Sequence, residues 1–101
     1  MYLRLIPKLD IKGPNLIKGI NYEGLRSLGK PNHYAKLYYE QGADEIIIND
    51  VVASLYGRDN LYKILNEASR DIFIPVTAGG GIRSSNDVKN VLQNGADKAI
   101  I

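Results

Sequence analysis

Apolar and polar positions alternate through residues 3–11, with Leu3, Leu5, Pro7, Leu9 and Ile11 set against Arg4, Ile6, Lys8 and Asp10. Successive side chains of a strand point to opposite faces, so this segment predicts a strand with one apolar face and one face carrying three charges. Residues 12–30 follow neither the strand nor the helix period and predict an irregular stretch. Pro31 suits the first turn of a helix, with Tyr34, Leu37, Tyr38 and Gln41 at helical spacing and Gly42 as its stop. A second strand is predicted over 45–49. Asp59 suits the cap of a second helix that puts Leu61, Ile64, Leu65 and Ala68 on one face. Residues 73–77 predict a third strand. Ser84 then caps a third helix running through Val88, Val91 and Leu92 to Gly95, and residues 98–101 begin a fourth strand. The order is βαβαβαβ, an α/β chain with a parallel sheet.

An internal repeat sharpens the architecture. Gly42-Ala43-Asp44 recurs as Gly95-Ala96-Asp97, each time after a helix and before a strand, and Asp71 is expected to open the strand between them. Units of near-constant length fit a (β/α)8 barrel better than a doubly wound sheet. The first unit is longer than the others, and the excess is residues 12–30. Barrel active sites are built from the loops that follow strands, so this basic, Gly-containing segment is expected to be a substrate-covering lid. The alternative is a tolerated surface insertion.

Composition then removes several chemistries. The chain has 101 residues, 45% hydrophobic and 24% charged, which suits one ordinary globular unit. With zero cysteines and one histidine, His33, it offers no disulfide framework, no Cys/His metal site and no cysteine nucleophile. No cofactor or metal is expected. The apolar runs are too short for a membrane span, and the start of the chain does not read as a signal peptide. A cytoplasmic protein is expected. The net charge is +2, but residues 1–30 hold six basic against two acidic groups and the remainder seven against nine. That asymmetry can steer an anion toward the N-terminal third; solvated surface charge is the alternative. Without a basic stripe interleaved with aromatics, nucleic acid is not an expected partner.

Five segments together resemble a known family. They are Arg4-Leu5-Ile6-Pro7-Lys8-Leu9-Asp10-Ile11-Lys12, Lys18-Gly19-Ile20-Asn21-Tyr22-Glu23-Gly24-Leu25-Arg26, Gly42-Ala43-Asp44-Glu45, Ile74-Pro75-Val76-Thr77-Ala78-Gly79-Gly80-Gly81-Ile82-Arg83 and Gly95-Ala96-Asp97-Lys98. In order and spacing the chain resembles the cyclase subunit of imidazole glycerol phosphate synthase, an ammonia-using enzyme of histidine biosynthesis. The triple-Gly turn alone is shared across phosphate-binding barrels. Combined with the first strand and the 18–26 segment, it is specific.

The resemblance implies a (β/α)8 TIM barrel, with residues 1–101 as its N-terminal half and no second domain. It also implies a lyase that takes ammonia from a glutaminase partner. The products would be imidazole glycerol phosphate and an aminoimidazole carboxamide ribonucleotide, made from a bis-phosphorylated ribulosyl precursor. Asp10 matches the family's first catalytic aspartate, a general acid/base, and by parity it also ends the first strand on the charged face. Gly80 and Gly81 match a turn that holds one substrate phosphate, where glycine allows close backbone approach and a helix N-terminus favours an anion. Lys18 matches a mobile-loop lysine that faces the substrate. Arg4, Glu45 and Lys98 match a salt-bridged ring at the mouth of an ammonia passage, with purely structural ion pairs as the alternative. Asp97 resembles a residue at the glutaminase docking face.

One position departs from the family. Lys8 stands where the family usually has a small cysteine, two residues before Asp10 and on the same face. Two strand residues span roughly 6.6 Å, so the ammonium can reach the Asp10 carboxylate. A neighbouring cation favours the charged form of a carboxylate and leaves less of the protonated form to serve as a general acid, so altered chemistry is expected. The segment Ile11-Lys12-Gly13-Pro14-Asn15 departs as well, with a stiffer Pro in place of a Gly-rich start. An alternative is therefore a paralogous barrel in a bacterial surface-sugar pathway, passing ammonia from a glutaminase to a sugar-modifying enzyme. A further alternative is a non-catalytic half-barrel assembly module. A complete barrel takes about 250 residues, so the chain is expected to be part of a longer protein and inactive alone, with its first and fourth strands as open edges.

Overall fold

The computed structural model describes residues 4–12, 15–20, 24–51, 58–82 and 84–100, with 15–20, 24–29, 58 and 59 described along the backbone. Among the described residues nine elements follow one another: β1 (Lys8–Lys12), β2 (Asn15–Ile20), β3 (Gly24–Gly29), α1 (Pro31–Glu40), β4 (Ile46–Asp50), α2 (Arg58–Asp71), β5 (Val76–Gly79), α3 (Ser85–Gln93) and β6 (Lys98–Ala99). The sheet order is β3-β2-β1-β4-β5-β6, and β1, β4, β5 and β6 run parallel as neighbours in chain order. Four parallel strands with a helix between successive strands are the arrangement expected of part of a (β/α)8 barrel.

The core lies between the sheet and its helices. Leu9 and Ile11 of β1, Ile46 and Ile48 of β4, and Val76 and Ala78 of β5 are buried against Ala35 of α1, Leu61, Ile64, Leu65 and Ala68 of α2, and Val91 of α3. Each fully buried Ile or Leu contributes about 1.5–3 kcal/mol. The predicted α2 face is the one that packs. In α1 the buried residues are Pro31 and Ala35, with Tyr34 and Tyr38 half-buried beside them, whereas Leu37 is exposed. Pro31 starts α1, and the Ser84 hydroxyl accepts from the Asp87 amide at 3.1 Å to cap α3.

Several expectations are corrected. Residues 15–20 and 24–29 are paired antiparallel strands, not an irregular stretch: β2 and β3 pair from Leu16↔Gly29 to Ile20↔Gly24, with a bulge between Leu16 and Ile17. β2 also pairs with the end of β1 at Ile11↔Leu16 and Lys12↔Asn15. The glycines at 19, 24 and 29 interrupt any period-2 pattern, so cross-strand pairing rather than local preference makes these strands. Consequently the end of β1 is not an open edge. The ladder starts later than the apolar runs do in β1 and β5, because Pro7 and Pro75 lack the N–H that a strand residue donates. Both still accept from β4, through Ile47 to Pro7 at 2.9 Å and Ile46 to Pro75 at 3.0 Å. α2 opens at Arg58, placing Asp59 in its first turn rather than before it, and Asp71 ends α2 instead of opening a strand. Residues 3 and 101 of the predicted strands lie outside the described residues.

Candidate active site

The sheet face opposite the helices carries the polar side chains, and strand register sorts them into rows. At the carboxyl ends, Asp10 of β1 pairs in register with Asn49 of β4, which pairs with Gly79 of β5. The Asn49 amide donates to Asp10 Oδ1 at 3.1 Å. Lys8 Nζ lies 3.9 Å from the same oxygen, so the predicted reach of this lysine is realised. The Lys8 side chain is 59% exposed, which screens the pair and holds its contribution below about 1 kcal/mol.

The Gly79-Gly80-Gly81 turn follows β5 and leads into the Ser84-capped N-terminus of α3. Gly80 has φ +93 and Gly81 φ +64, both in the left-handed region. A side chain at Gly80 would meet the backbone of Asp50 at the end of β4, so packing as well as conformation demands glycine. Lys18 sits on β2 opposite Arg26; its side chain lies outside the described residues.

The opposite end of the sheet gathers the second predicted group. Arg4 reaches Glu45 Oε2 at 3.9 Å and Lys98 reaches Glu45 Oε1 at 3.6 Å. Both cations are well exposed, while the Glu45 side chain is only 11% exposed. The tighter contact is one the sequence reading missed: Thr77 Oγ1 donates to Glu45 Oε1 at 2.9 Å in a buried site. A hydrogen bond to a charged group contributes about 1.5–3 kcal/mol, against under about 1 kcal/mol for each exposed ion pair, so Thr77 does most to hold Glu45 in place. Asp97 Oδ2 accepts from the Val76 amide at 2.8 Å, a bond that ties β5 to the segment entering β6. Asn49 was missed as well. Its signal was a polar residue at the parity of Ile47, on the sheet face opposite Ile46 and Ile48, but only register shows that it meets Asp10.

Residues 4–101 match the family model described as "Histidine biosynthesis protein". The chain belongs to this family. Its relatives include the "Imidazole glycerol phosphate synthase subunit HisF" of Legionella pneumophila, 60% identical over 99 residues, covering 98% of this chain and 47% of that protein. The same-named subunit of Methanocorpusculum labreanum is 45% identical over 95 residues, covering 94% and 35% respectively. That of Lactococcus lactis subsp. cremoris is 48% identical over 98 residues, covering 97% and 38%. The chain thus spans between about a third and a half of the length of these curated relatives. In family terms, the four parallel strands are part of the barrel.

Proposed function

We propose that the barrel carrying this chain is the cyclase subunit of imidazole glycerol phosphate synthase. It takes ammonia from a glutaminase partner and converts a bis-phosphorylated ribulosyl precursor into imidazole glycerol phosphate and an aminoimidazole carboxamide ribonucleotide. The observation that carries the reading is the Asp10 carboxylate on β1, in the same row as Gly79 two strands away and beside the glycine turn that begins there, in a chain matched to the family over 4–101. Asp10 exchanges a proton with substrate during ring closure. Gly80 and Gly81 give one substrate phosphate close access to backbone beside the N-terminus of α3. Lys18, on the hairpin continuing from β1, faces the substrate, and the hairpin serves as the lid.

Arg4, Glu45 and Lys98 form the gate of the ammonia passage at the far end of the strands. Asp97 belongs to the glutaminase docking face. Phe73, 77% exposed and lining one cavity with Pro75 and Asp97, supplies that face with an aromatic anchor. Among the described residues no helix is long and apolar enough to cross a membrane, and a cytoplasmic location agrees with a small-molecule substrate and a protein partner. Neither nucleic acid nor a membrane takes part.

The test supplies ammonia and the bis-phosphorylated precursor to the full-length protein. Imidazole glycerol phosphate should form, and Asp10→Asn should abolish it. The Lys8–Asp10 contact favours a second reading, a paralogous barrel that passes glutaminase-derived ammonia to a surface-sugar-modifying enzyme. Tight glutaminase binding without turnover of the precursor would select that reading.

A further inference from the structure

We infer that Asn49 is a positioning residue for the reaction at Asp10, dividing the work of the two carboxylate oxygens. The inference rests on the proposed function for its reaction, but its geometry stands independently. Asn49 occupies the middle of the row Asp10–Asn49–Gly79 across three parallel strands. Its Nδ2 donates to Asp10 Oδ1 at 3.1 Å. On its other side, Asn49 Oδ1 lies 3.3 Å from where a Cβ on Gly79 would stand, so the absence of a side chain at 79 gives the amide its room. The amide therefore sits between β1 and β5, with its oxygen toward Gly79 and its nitrogen bonded to Asp10. The reverse orientation would set a carbonyl oxygen against a carboxylate oxygen and lose the donor.

Lys8 converges on the same oxygen, but at 3.9 Å it supplies charge rather than a directed bond. Both groups thus engage Oδ1, and among the described residues no hydrogen bond or ion pair engages Oδ2. Oδ2 is the oxygen that meets substrate. It takes one proton from the substrate and returns one, while Oδ1 remains a hydrogen-bond acceptor throughout. Asn49 gains and loses no proton. Its part is to hold the carboxylate plane so that Oδ2, rather than either oxygen at random, is presented.

The experiment uses the full-length protein. Asn49→Leu removes the donor at similar size, and Asn49→Asp removes it at nearly the same shape. Both should lower kcat by roughly tenfold to a hundredfold, the range set by one hydrogen bond to a charged group. KM should stay within about twofold, because the bond acts on a reacting group and not on substrate binding. A kcat within about twofold of the parent in both variants, or a loss confined to KM, overturns the inference. An independent measurement follows the side-chain amide resonances of Asn49 in 15N-labelled protein on Asp10→Ala. Displaced resonances support the bond, and unmoved resonances overturn it. That readout needs no turnover. If the parent protein fails to convert the proposed precursor, the functional reading falls, while the resonances still decide whether Asn49 holds the Asp10 carboxylate.

Discussion

Asp97 and Val76 close a two-bond ring: the Asp97 amide donates to the Val76 carbonyl at 2.7 Å, and the Val76 amide donates back to Asp97 Oδ2 at 2.8 Å. Asp44 and Leu5 repeat the ring at 2.8 Å and 2.7 Å. The recurring Gly-Ala-Asp thus ends a helix and then clasps the neighbouring strand segment by its backbone. Asp97→Ala leaves the Val76 amide, at a residue only 2% exposed, without its acceptor. It should destabilise the full-length protein by about 1–3 kcal/mol in urea unfolding. Asp97→Asn, which keeps an acceptor oxygen, should recover part of the loss. An unchanged unfolding midpoint for Asp97→Ala would remove the clasp as a stabilising device.

Glycine at 80 is required twice over, and a comparison with Gly42 separates the reasons. Both have left-handed φ, +93 and +96, but a Cβ at 42 would meet nothing within 4 Å. Gly42→Ala should therefore cost the backbone penalty alone, about 1–2 kcal/mol. Gly80→Ala adds the collision with the Asp50 backbone and should cost distinctly more. Denaturant unfolding of the two variants, side by side, checks the ranking. Equal losses would mean that the Asp50 contact relaxes freely.

Among the partners of Glu45, burial predicts an unequal division. Thr77→Val should destabilise by about 1.5–3 kcal/mol. Arg4→Ala and Lys98→Ala should each cost less than about 1 kcal/mol, because their side chains are 59% and 66% exposed. Thermal unfolding of the three variants tests the order. A larger loss for either cation would make charge rather than the hydroxyl the anchor of Glu45.

Lys8 sets a different test. An exposed cation about 4 Å from a carboxylate is worth up to about 1 kcal/mol, or at most about fivefold in rate where the carboxylate must take up a proton, because the cation stabilises the charged form. Lys8→Met in the full-length protein should raise imidazole glycerol phosphate formation from ammonia by up to that factor. A fall in rate instead would show that the lysine takes part in the chemistry rather than restraining it.

The features legible in the chain alone are local or periodic. The order of parallel strands and helices, the shared face of Lys8 and Asp10, the start of α1 at Pro31, the cap at Ser84 and the apolar face of α2 all follow from spacings of a few residues. Family membership was legible too, because its motifs are runs of neighbours such as 74–83. Tertiary structure decided everything that depends on register between distant strands. Residues 15–20 and 24–29 become strands because they pair with each other, and the first of them with the end of β1. Asn49 meets Asp10 and Thr77 meets Glu45 because adjacent parallel strands set them in the same or neighbouring rows. Asp97 holds Val76 because the chain turns into β6 beside the start of β5. A side chain's parity can be counted along one strand, but its partner is set by how two strands align, and no local spacing carries that alignment.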